Sequence, residues 1–290
     1  MQRWALNVTV LGLLLAACTP SATEPSSTTE PSSTTSSTTT VPSDEICKIG
    51  DLRFGTEGLV GALGEDVGDA TTVSEIRWEQ SASCERLTIT FATDSGAPAS
   101  SLGPTGVSVF AQTGVVSITL PAEVATTAIA DLLPDGSLAH RVFVIRDDAG
   151  SLAVDIHGVT GVPLAARAFT TTSPSTLVID LVATESVSDA AGPQVSPVSV
   201  VVAPVPGEAS YPVTIDGYAA PGLATVRLQV TTNGDVWTDR TLSLNAWRDA
   251  WQAFSTVISE GPSGMAEIFV GTVGPEGQPD DGATVSVGLP

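Results

Sequence analysis

Basic residues are scarce in this chain: lysine and arginine together number 11 in 290 residues, against 32 aspartates and glutamates, for a formal charge of −21. The single lysine is Lys48. No face of such a protein supplies the positive footprint that nucleic acid requires, so nucleic-acid binding is excluded. Docking on anionic lipid headgroups is disfavoured for the same reason, and any membrane attachment must come from a covalent or inserted anchor. Aromatic residues make up only 5% of the chain, which leaves Val, Leu, Ile and Ala to build its cores. Cysteine and histidine are nearly absent, at three and two residues. Neither His140 nor His157 lies at ligand spacing from a cysteine, which argues against a zinc site. Hydrophobic residues reach 42%, enough for packed cores, and the length suggests two domains.

The N-terminus carries the clearest signal. Arg3 precedes an apolar run from Trp4 to Ala17, interrupted only by Asn7 and Thr9. The run falls short of the roughly 20 residues that cross a bilayer and reads as a secretory leader over residues 1–17. It ends in Leu15-Ala16-Ala17-Cys18, which resembles the lipobox of bacterial lipoproteins. The resemblance implies lipidation at Cys18, with the mature protein extracytoplasmic and anchored to the cell membrane. With Cys18 lipidated, Cys47 and Cys84 remain as an even pair outside the reducing cytosol, and a disulfide between them is expected.

From Thr19 to Ser43 nearly every residue is Ser, Thr or Pro. Such a segment cannot form a core, and residues 18–46 read as a semi-extended tether reaching up to about 85 Å if polyproline-like. Beyond it the apolar pattern repeatedly has period two, the mark of half-buried antiparallel strands. Leu87, Ile89 and Phe91 share one face of a strand; Val107–Phe110, Val115–Leu120, Arg141–Arg146, Leu152–Ile156 and Leu177–Leu181 behave alike. Only Glu123–Leu133 has helical spacing, fitting a short helix or a loop across a sandwich edge.

Residues 47–184 resemble the AMIN-like domain of actinobacterial envelope lipoproteins, through Val142-Phe143-Val144-Ile145-Arg146-Asp147, Leu152-Ala153-Val154-Asp155-Ile156 and Thr176-Leu177-Val178-Ile179-Asp180-Leu181. Where that family has an arginine near the start of its last strand, Ser175 and Thr176 stand here. The resemblance implies peptidoglycan binding or envelope targeting. A stretch rich in Ser, Ala, Asp, Gly and Pro then marks a linker over residues 185–197. Residues 198–290 contain six or seven short strands with turn signals between them, which predicts an immunoglobulin-like sandwich. This part resembles the immunoglobulin-like domain of bacterial spore germination proteins, through Val201-Val202-Ala203-Pro204-Val205-Pro206-Gly207, Tyr211-Pro212-Val213-Thr214-Ile215-Asp216-Gly217-Tyr218-Ala219, Trp251-Gln252-Ala253-Phe254 and Asp281-Gly282-Ala283-Thr284-Val285-Ser286-Val287. The expected fold class is therefore all-β, with two β-sandwich domains after a leader and tether.

No nucleophile elbow, zinc-protease motif or phosphate loop is present, so a non-enzyme without cofactor or metal is expected. His157 shares a predicted strand face with Asp155 and reads as a surface histidine. The acidic pairs Glu65-Asp66, Asp147-Asp148 and Asp280-Asp281 read as turns rather than calcium ligands. Leu244, Trp247, Trp251 and Phe254 are spaced by three, four and three, which suits one face of a helical turn leading into a strand. Trp247 and Trp251 are thus a candidate sugar-binding platform, with burial over the sandwich core the favoured alternative; Trp78 and Trp237 are read as core. The expected function is a binding or scaffolding module for an envelope protein or peptidoglycan. A hydrolase accessory, a weak carbohydrate binder and a structural spacer are the alternatives.

Overall fold

Short apolar strands separated by Gly, Pro and Asp turns generate the whole architecture. The computed structural model describes residues 47, 53–81, 83–185 and 191–290; the leader, Cys18 and the tether lie outside them. Among the described residues there is no helix, hence none that could cross a membrane, and the protein is all-β. The first half contributes β1 (Gly58–Leu63), β2 (Thr72–Gln80), β3 (Glu85–Ala92), β4 (Thr105–Phe110), β5 (Val115–Thr119), β6 (Thr126–Thr127), β7 (Asp131–Leu132), β8 (Ala139–Arg146), β9 (Leu152–Gly158), β10 (Leu164–Thr171) and β11 (Thr176–Ala183). The second half contributes β12 (Gln194–Val195), β13 (Ser199–Ala203), β14 (Gly207–Glu208), β15 (Val213–Ala219), β16 (Thr225–Thr232), β17 (Asp235–Ser243), β18 (Trp251–Ile258), β19 (Gly264–Val273) and β20 (Pro279–Leu289).

In the first half a sheet ordered β10-β11-β3-β2-β6 packs on β1-β4-β5-β9-β8. Leu87, Ile89 and Phe91 point together into the core between them, as their alternation predicts, and meet Leu177, Ile179, Val116, Val144 and Ile156. In the second half the sheet β14-β20-β19-β16-β17 faces β18-β15-β13 across a core that includes Val201, Ile215, Phe254, Leu228, Val270 and Val285. Gly217 permits this packing on β15: a Cβ there would lie 2.1 Å from the Val200 carbonyl oxygen and 2.6 Å from the Phe254 ring.

The two halves are not separate sheets. Trp251 and Gln252 of β18 pair in parallel with Ile145 and Arg146 of β8, so one ten-stranded sheet passes from the first half into the second. Gln194 and Val195, within the stretch read as a linker, pair with Val201 and Val200 and extend the same sheet.

Around the first core, buried charges are matched by strand register. Asp180 of β11 lies opposite Arg167 on one neighbouring strand and Arg86 on the other. Arg86 donates to its two carboxylate oxygens at 2.6 and 3.0 Å, and Arg167 Nε donates at 2.9 Å. Arg167 also donates to the Cys47 carbonyl, and Cys47 is bonded to Cys84 as expected from the cysteine count, with Cα atoms 6.4 Å apart. The first described residue is thereby tied to the sheet twice.

Of the two readings of Glu123–Leu133, the loop across the sandwich edge holds, with two short bridging strands, β6 and β7. Its backbone amides are taken by the sheet, from Ala125 to the Thr71 carbonyl and from Ala128 to the Val73 carbonyl, each at 2.9 Å. Leu244–Phe254 contains no helical turn, so its four large side chains do not share a face. Trp251 and Phe254 sit three apart on a strand and point to opposite sides.

Candidate functional site

The outward faces of β8 and β9 determine how the halves meet. Val142, Val144, Val154 and Ile156 point into the first core, so Arg141, Phe143, Ile145, Asp155 and His157 point away from it. In an isolated sandwich that second face would be wet. Here it is covered by Val200, Tyr218 and Trp251, which form a third apolar cluster with Phe143 and Ile145. Phe143 and Trp251 meet edge to face, with ring centroids 4.8 Å apart. Trp251 is 1% exposed, and its indole N–H donates to Asp131 Oδ2 at 2.8 Å. Arg141 donates to the same oxygen at 2.8 Å and lies over the Phe143 and Trp251 rings.

His157 is 0% exposed, which corrects its reading as a surface residue. Its ring packs edge-on against Phe143 at 4.8 Å, and neither ring nitrogen has a hydrogen-bond partner. Burial, assisted by nearby His140 and Arg141, pushes its pKa down to about 3, so the imidazole is neutral at physiological pH. His140, on the same strand as Arg141, is half-buried with Nδ1 3.0 Å from the Gly158 carbonyl, and burial lowers its pKa as well. Asp155 is buried beside them and accepts a hydrogen bond from the Tyr218 hydroxyl across the junction. Burial raises its carboxyl above the usual range, with Tyr218 and Ser117 opposing the shift. The Tyr218 phenol is raised well above its ordinary value, first by burial and then by the Asp155 charge.

Two recesses open beside this junction. The first, about 360 Å³, is lined from the first half by Glu57, Phe110, Val115, Ser117 and Asp155, and from the second by Val202. The second, about 510 Å³ and more open, lies where the Asp147-Asp148 turn faces Asp216 and Tyr218, again with Val202 in its wall. Asp155 lines one recess and Tyr218 the other, so the hydrogen bond joining them is part of the wall between. Arg146 braces the edge: it donates to Asp249 at 2.6 Å and to the Gly150 carbonyl at 2.8 Å, and lies 5.0 Å over the Trp247 ring.

The proposed tryptophan platform is not assembled. Trp251 is sealed into the junction, while Trp247, 37% exposed, stacks on Arg146 outside it. The core alternative holds for Trp251, with the core lying between the halves rather than inside one of them. Trp237 is not a core residue either: β17 is an edge strand, and the ring is 42% exposed beside Gly261. Trp78 is partly buried against the first core, as expected. Glu65-Asp66, Asp147-Asp148 and Asp280-Asp281 join no metal-binding group among the described residues. Cys18 lies outside the described residues.

Tyr218, Asp155, Phe110 and Val202 were not singled out by sequence reasoning. A signal for the covered face was present, because Val142-Phe143-Val144-Ile145 and Val200-Val201-Val202 are continuous apolar runs, the pattern of strands buried on both faces. Comparison with known proteins gives no matching family, no matching curated relative and no matching solved structure.

Proposed function

We propose that the protein is a non-catalytic binding or scaffolding module of the cell envelope, held at the membrane through lipidated Cys18 and recognising an envelope protein or peptidoglycan. The observation that carries this reading is the junction: two sandwiches share one sheet and a buried aromatic cluster, so the recesses between them are presented in a fixed geometry. Preorganisation of this kind lowers the entropic cost of binding. The disulfide between Cys47 and Cys84 fits an oxidising, extracytoplasmic compartment. A hydrolytic reading is disfavoured by the chemistry of the junction, since a histidine neutral down to about pH 3 and sealed from solvent is a poor general base. The resemblances to AMIN-like and spore germination immunoglobulin-like domains support the same accessory role.

Incubating residues 44–290 with purified sacculi, and separately with envelope extract, tests the reading. Retention on sacculi or capture of one defined protein is the expected result. Absence of both outcomes would leave a spacer, and release of soluble muropeptides would overturn the non-catalytic assignment. Metabolic labelling with a fatty acid tests the anchor, with label expected in the wild type and lost in Cys18→Ala.

A further inference from the structure

We propose that the outer edge of β17 pairs with β17 of a second copy of the chain, antiparallel and centred on Thr241. The inference is independent of the binding reading above. The other three edges of the second sandwich are each partly covered: β14 runs beside β20, β12 beside β13, and β18 meets β8 and then accepts a hydrogen bond from Arg240 at its Val257 carbonyl, 3.3 Å away. β17 pairs with β16 alone. The Leu244 amide donates to the Ala224 carbonyl at 2.8 Å, which continues the β16–β17 register, so Thr238, Arg240 and Leu242 turn their backbone groups to β16. By alternation Asp239, Thr241 and Ser243 turn theirs outward, and no described residue bonds them. The register shift in β17 lies before Thr238, so this row is regular. Such a row is a template for another strand.

Symmetry and charge select the occupant and its register. A two-fold axis across an antiparallel pair keeps each side chain on its own face, so the centre falls where a residue meets its own copy. Centring on Asp239 or Arg240 sets like charges directly opposite. Centring on Leu242 engages only Thr241 and Ser243, because the next outward amide, that of Asn245, already donates to Gln252. Centring on Thr241 engages the whole row: Thr241 meets its copy and Asp239 meets the partner's Ser243 on both sides of the axis, for about six main-chain hydrogen bonds. Carboxylate then faces hydroxyl, and no like charges oppose. Arg227 answers the Asp239 charge within each copy, donating to that carboxylate and, at 2.9 Å, to Thr241 Oγ1. The contact is small and each copy carries a net charge of −21, so the dimer should be weak, with a dissociation constant on the order of 100 µM.

Sedimentation equilibrium on the full chain tests the pairing, with Cys18→Ser added so that the disulfide leaves no free thiol. A monomer–dimer equilibrium is expected, tightening as salt screens the net charge. Ser243→Asp, at an exposed position, sets a carboxylate opposite the partner's Asp239 and should weaken the dimer about tenfold, whereas Ser243→Arg should strengthen it about threefold. Leu59→Arg, the same charge change at an exposed site in the first half, should leave it within about a factor of two. Thr241→Pro removes an outward amide and spares the ladder with β16, so association should be lost while the melting curve is kept. Thr241→Cys should cross-link two copies under mild oxidation, since facing Cα atoms in such a pair lie about 5.5 Å apart. Ser243→Cys, about 13 Å from its copy along the strands, should not. A chain that stays monomeric up to about 1 mM, a dimer indifferent to both charge changes at Ser243, or cross-linking of Ser243→Cys as fast as Thr241→Cys overturns the proposal.

Discussion

The two faces of β8 and β9 make an instructive pair. The inward face, with Val142, Val144, Val154 and Ile156, is aliphatic and belongs to a core built from the first half of the chain but for Ala250. The outward face carries Arg141, Phe143, Asp155 and His157, a mixture that looks like a wet surface, yet Phe143 and His157 are fully buried. Composition therefore does not distinguish a solvent face from a face covered by a second domain. Inside a sandwich, burial follows from alternation along a single strand. At the junction it depends on residues more than sixty positions away, such as Tyr218 opposite Asp155. Polar groups are tolerated there because most are paired, Asp155 with Tyr218 and Asp131 with Trp251 and Arg141.

If the junction is as much a core as the interior, the largest effect should come from Trp251→Ala, which empties the space between Phe143, Ile145 and Tyr218. A loss of about 3–5 kcal/mol in urea unfolding is expected, comparable with truncating a residue such as Leu87 in the first core. A loss below about 1 kcal/mol would mean that the halves merely touch.

A second contrast is chemical, since titration affects the junction and not the aliphatic face. The folded protein holds His157 neutral down to about pH 3, whereas an unfolded histidine takes up a proton near pH 6.5. The contribution is therefore undiminished above about pH 6.5 and is lost as pH falls toward 3. Asp155 acts in the opposite sense, because its raised carboxyl makes acid less harmful to the folded state. Comparing the wild type with His157→Leu isolates the imidazole. The stability difference should be flat above about pH 7 and then move against the wild type by up to about 1.4 kcal/mol per pH unit below about 6. A difference independent of pH would place His157 in water.

How much of this was legible in the sequence follows from the same contrast. The strands Arg86–Phe91, Val107–Phe110 and Leu177–Leu181 were readable because one face of each is apolar and its neighbours supply strand ends. The cysteine pairing was readable from the count and the inferred compartment. His157 was misread as exposed, and Trp251 was read as buried but over the wrong core, for one reason: their burial comes from the other half, and although the continuous apolar runs marked a covered face, nothing in the strand pattern says which surface covers it. The helical spacing at Leu244–Phe254 misled because Leu244 and Phe254 serve the second core, Trp251 the junction and Trp247 the rim, three environments along one extended segment.

The smallest effect should be at that rim. Trp247→Ala removes a partly exposed ring from Arg146 but leaves the ion pair with Asp249, and a cost of about 0.5–1 kcal/mol is expected. A cost rivalling that of Trp251→Ala would erase the distinction between rim and junction.

The central claim is that the shared sheet and the aromatic junction hold the two halves in one fixed arrangement. Spin labels at Leu59→Cys in the first half and Met265→Cys in the second, both at exposed positions, report it directly by pulsed dipolar spectroscopy on residues 44–290, whose native cysteines are joined in the disulfide. One narrow distance distribution is expected, broadening when Trp251→Ala is added. A broad or multimodal distribution in the otherwise wild-type protein would contradict the claim.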